Sequence, residues 1–370
     1  MKRVLQIGMT DNWGGIESYI INYYRNIDKN KVQFDFVNIY PNDLCFQNEI
    51  EELGGKIYKV PSYYKHPIAY MKKVKKIIKE NKYEIVHCNM NSAVFLFPII
   101  AAKLAKAKVV IAHSHNSSSD KGFLKDFIHA VNKRFIPLFA NTYFACSNKA
   151  GKWFYSKKVL KSKRYYVINN AIDSKKYLFN EKVRQEKRKE LNIKDSTTVL
   201  GHVGRFNKQK NHEFLIEIFN EYNKKYSDSI LLLVGIGPLQ EKIKNQVDEL
   251  KLNEKVIFLN QRKDVNELLQ AMDIFMLPSL YEGLPLVGVE AQSSGIPCVL
   301  SDTITDELKL LEDKVYYVGL NSPLQEWVET IHKCTTLKRI NEYENIVKSG
   351  YDIEMSTKNL IDLYEKLRSE

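Results

Sequence analysis

Short apolar runs alternate along the 370-residue chain with longer stretches in which apolar residues recur every three or four positions. The runs predict strands at Val4–Ile7, Val32–Ile39, Lys56–Val60, Glu84–Cys88, Val109–His113, Tyr143–Cys146 and Tyr165–Ile168. After a break a second series follows at Thr198–Val203, Ile230–Val234, Val256–Leu259, Asp273–Leu277, Pro297–Leu300 and Val315–Val318. Runs this apolar, spaced by helical stretches, predict parallel strands covered on both faces. The chain therefore reads as α/β, built from two doubly wound units. The break lies at Asn180–Asp195, a highly charged helix of little apolar content, giving a first domain of residues 1–180 and a second of 181–350. Beyond Gly350, Leu360, Ile361, Leu363, Tyr364 and Leu367 give the last helix an apolar side, and residues 351–370 are expected to cross back to the first domain.

Composition narrows the class. Hydrophobic residues at 44% and charged residues at 27% are ordinary for a folded globular chain and exclude a disordered or low-complexity one. The longest apolar run, Ala93–Ala102, contains Pro98 and stops at Lys103. It falls far short of the ~20 residues a membrane span needs. The start, Met1–Gly8, reads as a buried strand rather than a signal peptide. Cys45, Cys88, Cys146, Cys298 and Cys334 are widely spaced, as expected of reduced core residues in a cytosolic protein.

The net charge of +12 is unevenly spread. Residues 1–180 carry 30 Lys/Arg against 13 Asp/Glu, and residues 181–370 carry 26 against 31. A basic first half suits an anionic membrane surface, a nucleic acid or a phosphorylated substrate. No basic patch interleaved with aromatics and no reading helix supports the nucleic acid. Lys72, Lys73, Lys75, Lys76 and Lys79 flank an apolar stripe of Ile68, Met71, Val74 and Ile78. That helix reads either as an amphipathic surface element with a solvated face or as a contact with an anionic bilayer.

The densest candidate chemistry runs from Leu277 to Pro297. A strand ends at Pro278, a loop carries Glu282 and Gly283, and Pro285 stands where a helix begins, a position at which proline loses no needed hydrogen bond. The loop amides then face whatever lies over the helix amino terminus, a seat for phosphate or sugar oxygens. Glu290, about a turn further on, can reach a vicinal diol with both carboxylate oxygens, as a ribose requires. In Gly201–Asn211 a strand ends in glycine and Arg205 and Lys210 follow. Two cations at such a turn suit a diphosphate, arginine through its planar fork and lysine as a point charge. Gly14-Gly15-Ile16-Glu17 follows the first strand and lets backbone approach a ligand before a helix starts. His113-Ser114-His115-Asn116 lies at the carboxyl end of a strand, where open α/β sheets bind ligands. Each feature also has a plain reading: paired glutamates on a solvated helix face, surface cations, a tight glycine turn, a dipole-favoured Glu17, and His113 and His202 as core histidines.

Together these residues resemble one family, the retaining GT-B glycosyltransferases of group 1, or GT4. Glu282 and Glu290 match its E-x7-E motif, followed by Ala291, Gly295 and Pro297. Arg205 and Lys210 match G-R-x-x-x-x-K, and Gly14, Gly15 and Glu17 match G-G-x-E. Val234-Gly235-Ile236-Gly237-Pro238 resembles V-G-x-G-P, and Ile168–Asp173 resembles P-N-G-V-D with Asn169 for proline and Ala171 for glycine. The loop reads Glu-Gly-Leu-Pro where many members read Glu-Gly-Phe-Gly. His113-Ser114-His115-Asn116 with the serine-rich tail after it is most similar to capsular and exopolysaccharide transferases.

The resemblance implies two Rossmann-like domains facing across a cleft, the first for the acceptor and the second for a nucleotide-diphosphate sugar. The expected catalytic residues are His115, Arg205, Lys210 and Glu282. The expected donor-binding residues are Gly14, Gly15, Gly204, Arg205, Lys210, Gly283, Leu284, Pro285, Leu286 and Glu290. Of the two histidines, His115 is preferred as nearer the loop, and Glu17 is expected to support the glycine loop. The family's usual route is a front-face displacement that retains anomeric configuration. The chain has no Asp-x-Asp, so no metal and no cofactor beyond the sugar nucleotide are expected, with protein cations in the metal's place. UDP is the expected nucleotide and GDP the alternative. The donated group is a hexose or N-acetylhexosamine, and the acceptor a glycan or an undecaprenyl-pyrophosphate-linked sugar of capsule or exopolysaccharide assembly. The expected location is the cytoplasm, with peripheral contact at the inner face of the membrane through the basic first half. A same-fold nucleotide-sugar epimerase and a non-catalytic nucleotide-sugar-binding subunit are the competing readings.

Overall fold

The structure is a computed structural model that describes residues 2–116 and 122–370. The serine-rich tail Ser117–Ser119 lies outside the described residues. The chain divides into two compact units, one of residues 1–171 with 352–370 and one of 172–351.

In the first unit β1 (Lys2–Ile7), β2 (Val32–Asn38), β3 (Ile57–Lys59), β4 (Ile85–Met90), β5 (Val109–Ser114), β6 (Thr142–Ala145) and β7 (Tyr165–Val167) form one sheet, ordered β3-β2-β1-β4-β5-β6-β7. In the second, β8 (Thr198–Val203), β9 (Ser229–Val234), β10 (Val256–Phe258), β11 (Ile274–Leu277), β12 (Cys298–Ser301) and β13 (Val315–Val318) are ordered β10-β9-β8-β11-β12-β13. Both sheets pair in parallel throughout. Every strand predicted from the apolar runs is present. The reason is visible in β5, where Val110 and Ala112 enter one core layer while Val109 and Ile111 enter the other. A strand buried on both faces has no polar side to break the run.

Strand order reverses once in each sheet, between β1 and β4 and between β8 and β11. In doubly wound sheets ligands bind outside the carboxyl ends of the strands at such a reversal.

The division between units does not fall at residue 180. Ile172 and Tyr177 pack in the core of the second unit, and the Ile172 amide donates to the Tyr351 carbonyl at 2.9 Å. The charged helix Glu181–Glu190 is therefore part of the second unit rather than a break. Its Arg188 is 1% exposed and donates to the carbonyls of Ala271 and Thr197 and to Asp273 at 2.6 Å. Guanidinium groups are spent here on carbonyls left open at the end of helix Val265–Ala271. The last helix, Ile353–Ser369, belongs to the first unit, with Leu360, Ile361, Tyr364 and Leu367 in its core. Helix Pro67–Glu80 buries Tyr70, Val74, Ile77 and Ile78 and half-buries Met71, while Ile68 at its start stays exposed, as do most of its lysines.

Candidate active site

In the second unit, β8 leads into Gly204 and Arg205, and β11 leads into the loop of Pro278–Pro285. The two loops are tied together at the strand reversal. Leu280 donates its amide to the Gln209 carbonyl at 2.8 Å, and Asn211 Nδ2 donates to the Pro278 carbonyl at 3.1 Å. Gln209 Nε2 donates to the Tyr281 carbonyl and to Glu282 Oε2, each at 3.1 Å. Across this seam Lys210 Nζ stands 2.6 Å from Glu282 Oε1, with side chains 15% and 7% exposed. Two residues selected separately in the sequence thus form one ion pair, partly shielded from water. Arg205, in the loop after β8, is exposed.

The glycines nearby answer to close backbone approach. Gly235 has φ +138°, and a Cβ there would lie 2.1 Å from the Gly204 carbonyl oxygen. A Cβ on Gly237 would lie 2.4 Å from the Phe206 carbonyl oxygen. The Val234–Pro238 segment is therefore the bed on which the Arg205 loop lies. His202 is wholly buried, with its Nδ1 donating to the Met276 carbonyl at 2.8 Å, and burial drives its pKa well below the usual range. It is a core residue.

Helix Leu286–Ser293 starts directly behind Pro285, which is its N-cap and offers no side-chain acceptor to the first-turn amides. Leu284 and Leu286 pack on the core while Gly283 is exposed. Burial raises the Glu290 carboxyl, and a hydrogen bond from the Tyr177 hydroxyl opposes that rise. Tyr177, in the turn Ser174–Tyr177, was not among the sequence candidates. Its only signal is its place a few residues beyond the Ile168–Asp173 motif. Gln209, an unselected position within the Arg205–Lys210 motif, is the second residue missed.

In the first unit, Gly14 is the extended N-cap of helix Gly15–Asn26. Glu17 is buried and accepts the Thr10 amide at 2.9 Å, which fixes the loop after β1 to the helix start. A Cβ on Gly15 would meet nothing within 4 Å, so the protein itself does not require glycine there.

The histidines form a directed chain. Asn89 Nδ2 donates to the Ile7 carbonyl and to Gln6 Oε1, which makes its Oδ1 an acceptor and His115 Nε2, 2.9 Å away, a donor. The Gln6 amide in turn donates to the Tyr364 oxygen. Tyr364 then donates to His87 Nδ1 at 2.7 Å, and His87 Nε2 to His113 Nδ1 at 2.9 Å. His115 Nδ1 is left as a lone pair, buried and without a partner among the described residues. Burial pushes His87 and His115 down to about 3, so all these rings are neutral at ordinary pH. His113 lies wholly in the core and His115 at the loop. Sequence reasoning missed Asn89, which sets the His115 tautomer. Beside them a cavity of ≈ 200 Å³ is lined by Tyr40, Tyr63, Tyr64, Phe95, Asn89 and Lys125.

Residues 13–176 match the model described as Glycosyltransferase Family 4, and residues 183–352 that of Glycosyl transferases group 1. EpsF of Bacillus subtilis (strain 168), named as a glycosyltransferase, is 35% identical over 98% of this chain and 96% of its own. The chain belongs to the group 1 and family 4 glycosyltransferases. A second relative of this glycosyltransferase, the Escherichia coli UDP-Gal:α-D-GlcNAc-diphosphoundecaprenol α-1,3-galactosyltransferase, is 29% identical over 78% of this chain and 77% of its own. Among solved structures, Anabaena Alr3699/HepE in complex with UDP has a TM-score of 0.80 at 20% identity, covering 99% of this chain and 100% of that one. The apo lipopolysaccharide outer core galactosyltransferase WaaB has a TM-score of 0.72 at 17% identity, with 99% and 100% covered. The glycosyltransferase has the GT-B fold, with two Rossmann-like units.

Proposed function

We propose that this glycosyltransferase moves a hexose or N-acetylhexosamine from a UDP-sugar to a lipid-diphosphate-linked glycan in surface polysaccharide assembly, with retention and without a metal. The observation that carries the reading is the Lys210–Glu282 pair fixed at the β8/β11 reversal, with Arg205 exposed beside it. In the step, the bond from the anomeric carbon to the diphosphate breaks and a bond to the acceptor oxygen forms on the same face. The acceptor proton passes to the departing phosphate oxygen. Negative charge grows on the diphosphate, and Arg205 and Lys210 neutralise it as it grows. Glu282, already held by Gln209 and Lys210, accepts from the sugar hydroxyls, together with donors from the amides of Gly283 and Leu284.

The first turn behind Pro285 and Leu286, which no side chain caps, suits an anionic ligand, and Glu290 holds the ribose through its diol. Gly14 and Gly15 offer backbone to the phosphate, and Gly204 keeps the turn before Arg205 low. The lone pair of His115 Nδ1 accepts from the sugar's exocyclic hydroxyl. Three supports favour UDP and a lipid-borne acceptor: the donor and acceptor in the name of the E. coli relative, the UDP bound by Alr3699/HepE, and the basic first half.

Calorimetric titration with UDP, GDP, ADP and their sugar conjugates, repeated with Arg205→Ala, tests the donor. Selective binding of UDP and its sugars, weakened at least tenfold in the variant, is expected. No binding to any nucleotide overturns the reading. NMR of the anomeric proton in the product tests retention, and an inverted product excludes the front-face step.

A further inference from the structure

Helix Phe123–Asn132 buries one residue, His129, and turns most of its apolar side chains outward. Phe123 is 89% exposed, Leu124 69% and Phe127 60%, and Val131 joins them. At 3.6 residues per turn these four fall within an arc of about 100°, so they form one stripe. Phe135 and Leu138, in the segment that follows, are exposed as well. The helix is pinned from its other side. His129 Nδ1 accepts the Ala93 amide at 3.1 Å, its Nε2 donates to the Trp153 carbonyl at 3.2 Å, and Asn132 donates to the Val94 carbonyl at 3.1 Å. The stripe is thus held outward by polar anchors on the opposite face. Burying it in the core would break those bonds.

Charge on and just after the helix is mainly positive. Lys125 on the helix and Lys133 and Arg134 directly after it are exposed or half-exposed, against the single carboxylate of Asp126 on the helix. An apolar stripe with a cationic rim is the complement of an anionic bilayer, whose headgroups take the charges and whose acyl boundary takes the rings. A second copy of the chain would bring the same cations against themselves. We propose that Phe123–Leu138 is the surface by which this enzyme lies on an anionic membrane. The inference deepens the reading of a lipid-borne acceptor and rests on it for its purpose. The lysine-rich helix Pro67–Glu80 exposes only Ile68 of its apolar stripe, the rest being buried or half-buried.

The test is co-sedimentation of the full chain with vesicles of phosphatidylglycerol and phosphatidylcholine in equal parts, beside vesicles of phosphatidylcholine alone. Wild type is expected to bind the anionic vesicles at low salt and the neutral ones far less. Phe123→Ser with Phe127→Ser should lower binding at least tenfold, and Lys133→Glu with Arg134→Glu by more than the roughly fivefold that one basic residue contributes. Donor binding by calorimetry should not change in either variant, which keeps a failure of the membrane surface distinct from a failure of the donor reading. Absence of wild-type binding overturns the proposal, as does equal binding by the variants. A wild-type dimer that Phe123→Ser with Phe127→Ser dissociates, without change on vesicles, makes the occupant a second copy.

Discussion

At the strand reversal of the second unit the groups that matter are charged and already paired, whereas at that of the first they are neutral and mostly buried. Lys210, Glu282 and Gln209 form a network across two loops, with Arg205 exposed nearby. Asn89, His115, His113 and His87 form a network of neutral rings and amides instead, beside an aromatic cavity. The topology is common to both, and the chemistry is not. A doubly wound sheet sets where a ligand can lie, while the loop side chains decide whether the place stabilises charge or shape.

The contrast can be broken most severely at Lys210. Lys210→Ala should lower kcat by about 10²- to 10³-fold, the usual loss when one group facing developing charge is removed. Steady-state rates at saturating donor check it, and an unchanged kcat would remove the charge-stabilising role of the second unit. Next is the neutral network. Tyr364→Phe takes the partner from His87 Nδ1 and should cost about 1–3 kcal/mol in denaturant unfolding. The same network fixes a direction for pH. His87 and His115 titrate near their ordinary 6.5 when unfolded and at about 3 when folded, so the unfolded chain binds more protons in between. Stability is full above about 6.5 and should fall progressively as pH drops towards 3. Acid unfolding curves that stay flat across that window would contradict the neutral assignment.

A smaller effect sharpens the charged side. Tyr177→Phe removes the bond that holds the Glu290 carboxyl down, so that carboxyl should titrate higher still. Its donor KM should rise by about 3- to 10-fold, the worth of a hydrogen bond to a charged group, and the acid limb of kcat/KM should move to higher pH. Glu290→Gln should raise Tm at neutral pH, since a desolvated carboxylate destabilises the fold above its raised pKa, and the gain should vanish in acid. The smallest effect is expected at Gly15. With no atom within 4 Å of an added Cβ, Gly15→Ala should leave stability within about 0.5 kcal/mol, so any loss of donor affinity reports on the ligand alone.

What could be read from the sequence follows from how far each feature reaches along the chain. Strands buried on both faces appear as apolar runs and the half-buried edge strands as shorter ones, so all thirteen and the two-unit organisation were legible. Arg205, Lys210, Glu282 and Glu290 stood out because each sits in a motif a few residues long. Tyr177, Asn89 and Gln209 did not, because their meaning lies in partners far away in sequence. The boundary lies at residue 172 rather than 180 because Ile172 and Tyr177 enter the second unit's core through partners far along the chain. Helix Glu181–Glu190 is no break because its Arg184 and Arg188 bond helix-end carbonyls and Asp273. Charge composition does not distinguish a solvated guanidinium from a buried cap. The stripe at Phe123 escaped for the converse reason. Apolar periodicity says that a helix has a dry side, not what dries it.

The hydrogen bond between His87 and Tyr364 joins residues 277 positions apart, and the whole second unit lies between them. A chain emerging from the ribosome presents the first unit's strands long before the helix that completes their core. The second unit, continuous from Ile172 to Tyr351, has everything it needs when its own last strand and helices are out. The unit made first is therefore the one finished last, and for most of synthesis it waits with Phe34 and the edge of the histidine network uncovered. Translation speed and chaperone supply thus act mainly on the half that holds the neutral network.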